Sequence, residues 1–192
     1  MPYAADLLYN KFGIPEDTSA MIVTILPFGT VIFTPIFGWW CDFKGKSASL
    51  MILGSILLIV VHLTLSLTNI SPYIPMFLLG VSFSLVPAAM WPAVAKIVHE
   101  SRLGTAYGSM YTIQNFGLML VPVIMGVILD RTNRGISVEA VQAGEAAYDY
   151  KFTILFLVIL GLIGLLFAIL LKREDKVSGF GIELPNKQLL VG

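Results

Sequence analysis

Gly38-Trp39-Trp40-Cys41-Asp42-Phe43-Lys44-Gly45-Lys46 is a short charged turn set between two long uncharged runs. Upstream, residues 18–41 contain no Asp, Glu, Lys or Arg, and downstream none occurs between residues 47 and 95. A helix crosses a bilayer with about 20 predominantly apolar residues. The turn therefore joins two membrane-crossing segments on one side of a membrane.

The rest of the chain has the same character. Hydrophobic residues make up 57% of the 192 and charged residues 12%, where a soluble domain carries about 25% charged; the mean hydropathy is +0.85. Lipid is thus the implied surrounding. A formal net charge of zero offers no electrostatic footprint for nucleic acid. A single cysteine, Cys41, excludes an intrachain disulfide framework. His62 and His99 are too few and too scattered for a histidine metal site, and no cofactor motif is present. Residues 1–13 carry Asp6 and lack the basic-then-apolar order of a cleavable signal.

Five full spans are predicted, at residues 18–40, 47–67, 73–96, 103–129 and 152–171, preceded by a partial helix at 1–12 and followed by a tail at 173–192. Thr68-Asn69-Ile70-Ser71-Pro72 is a polar turn closed by proline. The runs are long and unbroken, unlike the short alternating strands of a membrane barrel. The expected fold class is all-α, a polytopic membrane helix bundle. Basic residues set its orientation. Lys44, Lys46, Lys96, Arg102, Lys172, Arg173, Lys176 and Lys187 fall on the side of the charged turn, against Lys11, Arg131, Arg134 and Lys151 opposite. This bias places the turn and the C-terminus in the cytoplasm.

One span has a polar face. Tyr107, Tyr111, Gln114 and Leu118 recur at helical spacing, with Asn115 at the edge. Amides and phenols in hydrocarbon require partners or water, so this face is expected to meet other helices or a water-filled cavity. Helix-to-helix glue and a substrate cavity are equally compatible with it. The spans at 18–40 and 73–96 carry Pro27, Pro35, Pro75, Pro87 and Pro92, and interior prolines kink helices. Ser82, Ser84 and Trp91 lie around the kink at Pro87. The span at 152–171 is apolar almost all round and suits a lipid-facing periphery.

The pattern Gly-x-x-x-Asp-x-x-Gly-Lys, read as Gly38, Asp42, Gly45 and Lys46, resembles the signature loop of the major facilitator superfamily (MFS). The resemblance covers residues 1–172 and implies the C-terminal six-helix half of such a transporter: five full spans plus the end of a sixth. Pro2-Tyr3-Ala4-Ala5-Asp6-Leu7-Leu8, Leu26-Pro27-Phe28-Gly29-Thr30 and Gly104-Thr105-Ala106-Tyr107-Gly108 with Gln114-Asn115 resemble the branch containing the lysosomal dipeptide uniporter.

The resemblance implies a secondary transporter, as a fragment or a half, moving a small polar solute such as a dipeptide by alternating access. It also implies a partner, the N-terminal six-helix half. Asp42 is then a gating carboxylate facing a helix N-terminus of that half, with Gly38 and Gly45 allowing close approach and the tight turn. Tyr107, Tyr111, Gln114, Asn115, Trp91 and Asp6 become candidate cavity residues; for Asp6 a solvated helix-end position is the alternative. Short loops point to a prokaryotic plasma membrane, with the lysosomal membrane as the alternative. Carriers of sugars or organic anions, and a non-transporting membrane adaptor on the same fold, remain open. An intramembrane enzyme is disfavoured, because the spans hold neither paired carboxylates nor a His-Glu-x-x-His pattern.

Overall fold

The computed structural model describes residues 3–186. Its helices are α1 (Ala4–Phe12), α2 (Glu16–Phe43), α3 (Ser47–Leu67), α4 (Tyr73–Ile97), α5 (Leu103–Thr132), α6 (Val138–Gln142) and α7 (Lys151–Ser178). A 3-10 turn, Glu100–Arg102, leads into α5. No strand occurs among the described residues. Five helices (α2, α3, α4, α5 with its leading turn, and α7) are long and apolar enough to span a membrane, as the uncharged runs predict. At 1.5 Å per residue, the 21 residues of α3 reach about 31 Å, one hydrocarbon thickness.

The helices outrun the apolar windows. Helix α2 starts at Glu16 and continues to Phe43, and α7 continues to Ser178. Residues 173–178, expected in the tail, are therefore the last turns of α7. The reason is local: Lys172, Arg173, Glu174 and Lys176 have good helix propensity, so the helix persists after its hydrophobicity ends. It stops at Gly179, whose φ is +68° and whose N–H bonds the Asp175 carbonyl.

Helix α4 lies between α2 and α3, and α3 packs in turn against α7. Small residues set these crossings. A Cβ on Gly54 of α3 would stand 3.0 Å from Val86 on α4, and one on Gly161 of α7 would stand 2.9 Å from Ile59 on α3. Small residues let membrane helices approach closely where no hydrophobic driving force between helices exists. The outer face of α7, with Ile159, Leu162, Leu166 and Phe167, is exposed, as a lipid-facing helix requires.

Two buried clusters lie at opposite ends of the bundle. One gathers Leu8, Ile22, Val61, Leu65, Met76, Leu79, Tyr150 and Ile154. The other gathers Cys41, Ala48, Met51, Leu85, Ala89, Ala93, Ala168 and Ile182 beneath the charged turn. The first end is tied by polar contacts. Asn133 donates to the Leu129 and Asp149 carbonyls and accepts from Asp149 N–H at 2.7 Å. Asn10 accepts from Tyr148 N–H at 2.9 Å, and Lys11 Nζ donates to the carbonyls of Leu65 and Ser66.

Candidate functional site

Helix α5 is the least packed of the long helices, and its polar face is largely exposed. It meets its neighbours mainly near its ends. Towards its start, the Tyr107 hydroxyl donates to the Trp91 carbonyl of α4 at 3.2 Å. The Trp91 ring lies 5.4 Å from that of Tyr107 and 4.8 Å from that of Tyr111, in tilted geometry, a spacing favourable for aromatic pairs. Towards its other end, the Tyr3 hydroxyl donates to the Pro122 carbonyl at 3.2 Å and lies 2.9 Å from where a Cβ on Gly126 would sit.

The structure thus joins three of the predicted cavity residues, Trp91, Tyr107 and Tyr111, into one aromatic group. Asn115 is one turn further along; its amide donates to the Tyr111 carbonyl at 2.8 Å, which leaves its carbonyl oxygen directed away from its own helix. Tyr111, Thr112, Asn115, Phe116 and Met119 line an open recess of about 360 Å³. Gln114 is exposed beside it. Such a surface offers ring faces, a phenol and amides to a polar solute or to another helix.

Asp6 is not part of this group. It lies at the opposite end of the bundle, where its Oδ2 accepts from the Tyr150 hydroxyl at 2.8 Å. Asp6 itself is exposed, whereas Tyr150 is 2% exposed. Burial, and then the bond to Asp6, push the Tyr150 phenol above its ordinary range, so it stays neutral and keeps donating. His62 is buried in α3, with Nδ1 2.7 Å from the Leu58 carbonyl of its own helix.

The charged turn is tighter than its sequence suggests. Helix α2 ends with Lys44 N–H on the Trp40 carbonyl at 2.8 Å. Gly45 (φ +70°) and Lys46 (φ +64°) then adopt consecutive left-handed conformations. Glycine does this without steric cost, whereas lysine incurs roughly 1–2 kcal/mol. The compensation comes from the far end of the chain. Residues 179–186 fold back across the turn, and Lys46 N–H donates to the Glu183 carbonyl at 2.9 Å. The Glu183 carboxylate accepts from Ser49 N–H at 2.9 Å and Ser49 Oγ at 2.7 Å, capping the start of α3. A carboxylate at a helix N-terminus contributes about 0.3–1 kcal/mol. Lys172 joins this group, with Nζ 2.6 Å from Ser49 Oγ and 3.8 Å from Glu183 Oε2.

Asp42 meets the same segment. Its Oδ1 accepts from the Asn186 amide at 2.8 Å, so its observed partner lies in the tail of its own chain. Sequence reasoning missed this partner, which is 144 positions away. Gly45 is also held by the tail: a Cβ there would fall 2.5 Å from the Glu183 carbonyl oxygen. Among the described residues, none beyond Gly38's own stretch of helix lies within 4 Å of a Cβ placed on it. Among the described residues, no group of three or more His, Cys, Asp or Glu side chains is placed to hold a metal ion.

A bundle with this helix order and this turn already points to one family, and comparison decides it: the model of the Major Facilitator Superfamily matches residues 1–189. The chain belongs to the major facilitator superfamily. It is 33% identical over 179 residues to the lysosomal dipeptide transporter MFSD1 of Homo sapiens, covering 93% of this chain and 35% of that protein. The Bos taurus protein of the same name is 39% identical over 121 residues, covering 63% of this chain and 26% of the relative. That of Danio rerio is 38% identical over the same length and the same shares. This MFS chain therefore spans about a quarter to a third of the length of the curated relatives it matches. It is a multi-pass membrane protein, and the family is one of transporters.

Proposed function

We propose that this chain is the C-terminal bundle of a secondary transporter, which moves a small polar solute by alternating access against a second six-helix bundle. The observation that carries this reading is the exposed polar and aromatic face of α5, where Trp91, Tyr107, Tyr111 and Asn115 adjoin an open recess. In transporters built from two repeats, the solute site lies between them near the midplane. Dipeptides are the proposed solute, because the relatives are named dipeptide transporters. A dipeptide suits ring faces and amides: it brings a peptide bond, two charged ends and variable side chains.

Asp42 is proposed as the gating carboxylate. Engagement with a helix N-terminus of the other bundle would hold the turn side closed, and its loss would open that side. The basic-residue bias supports a cytoplasmic turn and C-terminus. For the compartment, the relatives' names favour a lysosomal membrane over the prokaryotic plasma membrane suggested by the short loops.

The test is uptake of labelled dipeptides into proteoliposomes that hold this chain together with an N-terminal bundle. Saturable uptake, lost on Tyr111→Ala, supports the reading. No flux with any dipeptide, sugar or organic anion, despite a stable pair of bundles, would favour an adaptor. Asp42→Asn is expected to shift the pair towards opening on the turn side, read by the accessibility of a cysteine placed at Ser109. Unchanged accessibility would remove the gating role.

A further inference from the structure

The tail has an organisation that membership of the superfamily does not require. Between residues 179 and 186 its backbone runs in a groove made by the end of α7, the end of α4 and the α2–α3 turn, and each wall supplies the matching polar group. Asp175 of α7 takes the N–H groups, with Oδ1 accepting from Ile182 at 2.8 Å and Oδ2 from Glu183 at 3.2 Å. Lys96 of α4 takes the carbonyls, its Nζ donating to Leu184 at 2.6 Å, Gly181 at 3.3 Å and Ile182 at 3.4 Å. Lys46 and Ser49 of the turn bind the Glu183 carbonyl and carboxylate. Ile182, 0% exposed, fills the apolar floor in the cluster that contains Cys41, also 0% exposed.

The two ends of this segment are held unequally. At Ile182 and Glu183 the backbone and side-chain groups are paired and the apolar side chain is buried. At Asn186 the contact is a single bond to Asp42, and Asn186 Oδ1 is buried with no hydrogen-bond partner among the described residues. Among the described residues, Ile182 and Glu183 are thus held by more bonds than Asn186. The atom the tip occupies, Asp42 Oδ1, belongs to the carboxylate of the signature turn.

We propose that residues 179–186 are an intramolecular latch: a peptide ligand carried in cis that docks in the Asp175–Lys96–Ser49 groove, seals Cys41 and occupies Asp42 through Asn186. The groove recognises a tight turn, closed by Leu184 N–H on the Gly181 carbonyl at 3.0 Å, with a buried aliphatic residue, an acidic residue after it and an amide three residues further on. The latch deepens the gating reading of Asp42 and rests on it for its consequence: while the tip is docked, Asn186 holds Asp42 Oδ1, and a helix approaching that carboxylate competes with the tail for it.

The experiment uses the chain in lipid nanodiscs, with Cys41 as the single native reporter and a water-soluble maleimide as probe. Wild-type Cys41 is expected to label slowly. Ile182→Asp undocks the latch, and labelling is expected to become about tenfold faster or more, as for a local opening made favourable. A synthetic peptide of residues 179–192 should restore protection to that variant, whereas the same peptide with Glu183→Lys should not. Protection of Cys41 unchanged by Ile182→Asp, or no rescue by the peptide, overturns the latch. If Ile182→Asp fails to yield monodisperse protein, amide exchange of the wild type decides. The N–H groups of Lys46, Ser49, Ile182 and Glu183 should exchange together and faster than the interior of α7. Exchange as slow as that interior would mean that the segment leaves only on unfolding, and the latch would be overturned. None of these readouts depends on transport, so failure of the latch is distinct from failure of the gating role, which the Ser109 reporter reads.

Discussion

Gly29 and Gly80 face each other where α2 crosses α4: a Cβ on Gly29 would stand 3.1 Å from the Gly80 Cα, and one on Gly80 would stand 3.0 Å from the Leu26 carbonyl oxygen. Both obstructions are backbone atoms, which cannot rotate aside. Gly80→Ala is expected to destabilise the bundle by about 1–3 kcal/mol, the usual cost of overpacking. Gly108→Ala on α5, which has no described neighbour outside its own helix within 4 Å, should be neutral or slightly stabilising, because alanine favours the helix. Unfolding midpoints of the two variants in the same detergent check the contrast; equal effects would show that the crossing is looser than described.

Gly45→Ala meets two penalties, a left-handed backbone and the tail running 2.5 Å from the new methyl group. The first remains when the tail is removed and the second does not. The substitution is therefore expected to cost about 1–2 kcal/mol in a chain ending at Ser178, and clearly more in the full chain. A double-mutant cycle between Gly45→Ala and tail removal measures the difference. A coupling of zero would show that tail and turn are independent.

Tyr150 predicts a pH dependence at the opposite end. Its folded-state pKa is raised, so above pH about 10 the unfolded chain releases a proton that the folded chain keeps. Stability from this group is complete below the unfolded pKa and is lost as pH rises above it, by up to about 1.4 kcal/mol per pH unit. Tyr150→Phe should remove that alkaline loss. Its cost at neutral pH should be about 0.5–1.5 kcal/mol, one hydrogen bond. Thermal melts from about pH 8 to about pH 11, spanning the ordinary tyrosine value of about 10, compare the two; parallel curves would contradict the assignment.

Under the transport proposal, Tyr111→Ala and Asn115→Ala remove groups lining the recess without disturbing a buried core, since both residues are exposed. Uptake should fall about tenfold or more, equivalent to about 1.4 kcal/mol, with expression unchanged and the unfolding midpoint unchanged for Asn115→Ala and only slightly lowered for Tyr111→Ala, which loses its Trp91 contact. Asp6→Asn keeps an acceptor for Tyr150 and lies far from the aromatic group, so its uptake should stay near wild type. Loss of uptake only with Asp6→Asn would move the solute path to the other end of α5.

The helices were legible because a membrane imposes a simple rule: charges interrupt spans, and residues 18–41 and 47–95 have none. The i, i+4 spacing of Tyr107 and Tyr111 likewise placed both on one face. That Trp91 packs against them was not legible, because it depends on how α4 and α5 converge. Least legible was the tail. Lys96 read only as one of the basic residues that set orientation, and nothing in the sequence joined it to Asp175, Ser49 or residues 181–184. Their pairing joins four separate stretches of chain, and neither hydropathy nor periodicity registers partners so far apart. Helix ends are a separate matter: hydropathy records where lipid ends, whereas α7 continues until Gly179 reverses its backbone.

The burial of Ile182 also bears on how the protein is made. Residues 179–186 follow the five spanning helices found among the described residues, so all five can enter the bilayer before this segment leaves the ribosome. Until it does, the apolar floor around Cys41, Ala48 and Met51 is uncovered at the membrane surface. A nascent chain stalled between Ser178 and Asn186 would carry all five spans and an open hydrophobic cleft beside them. The patch beneath the charged turn is thus the last part of the described bundle to be covered, closed only after its five spans have been made.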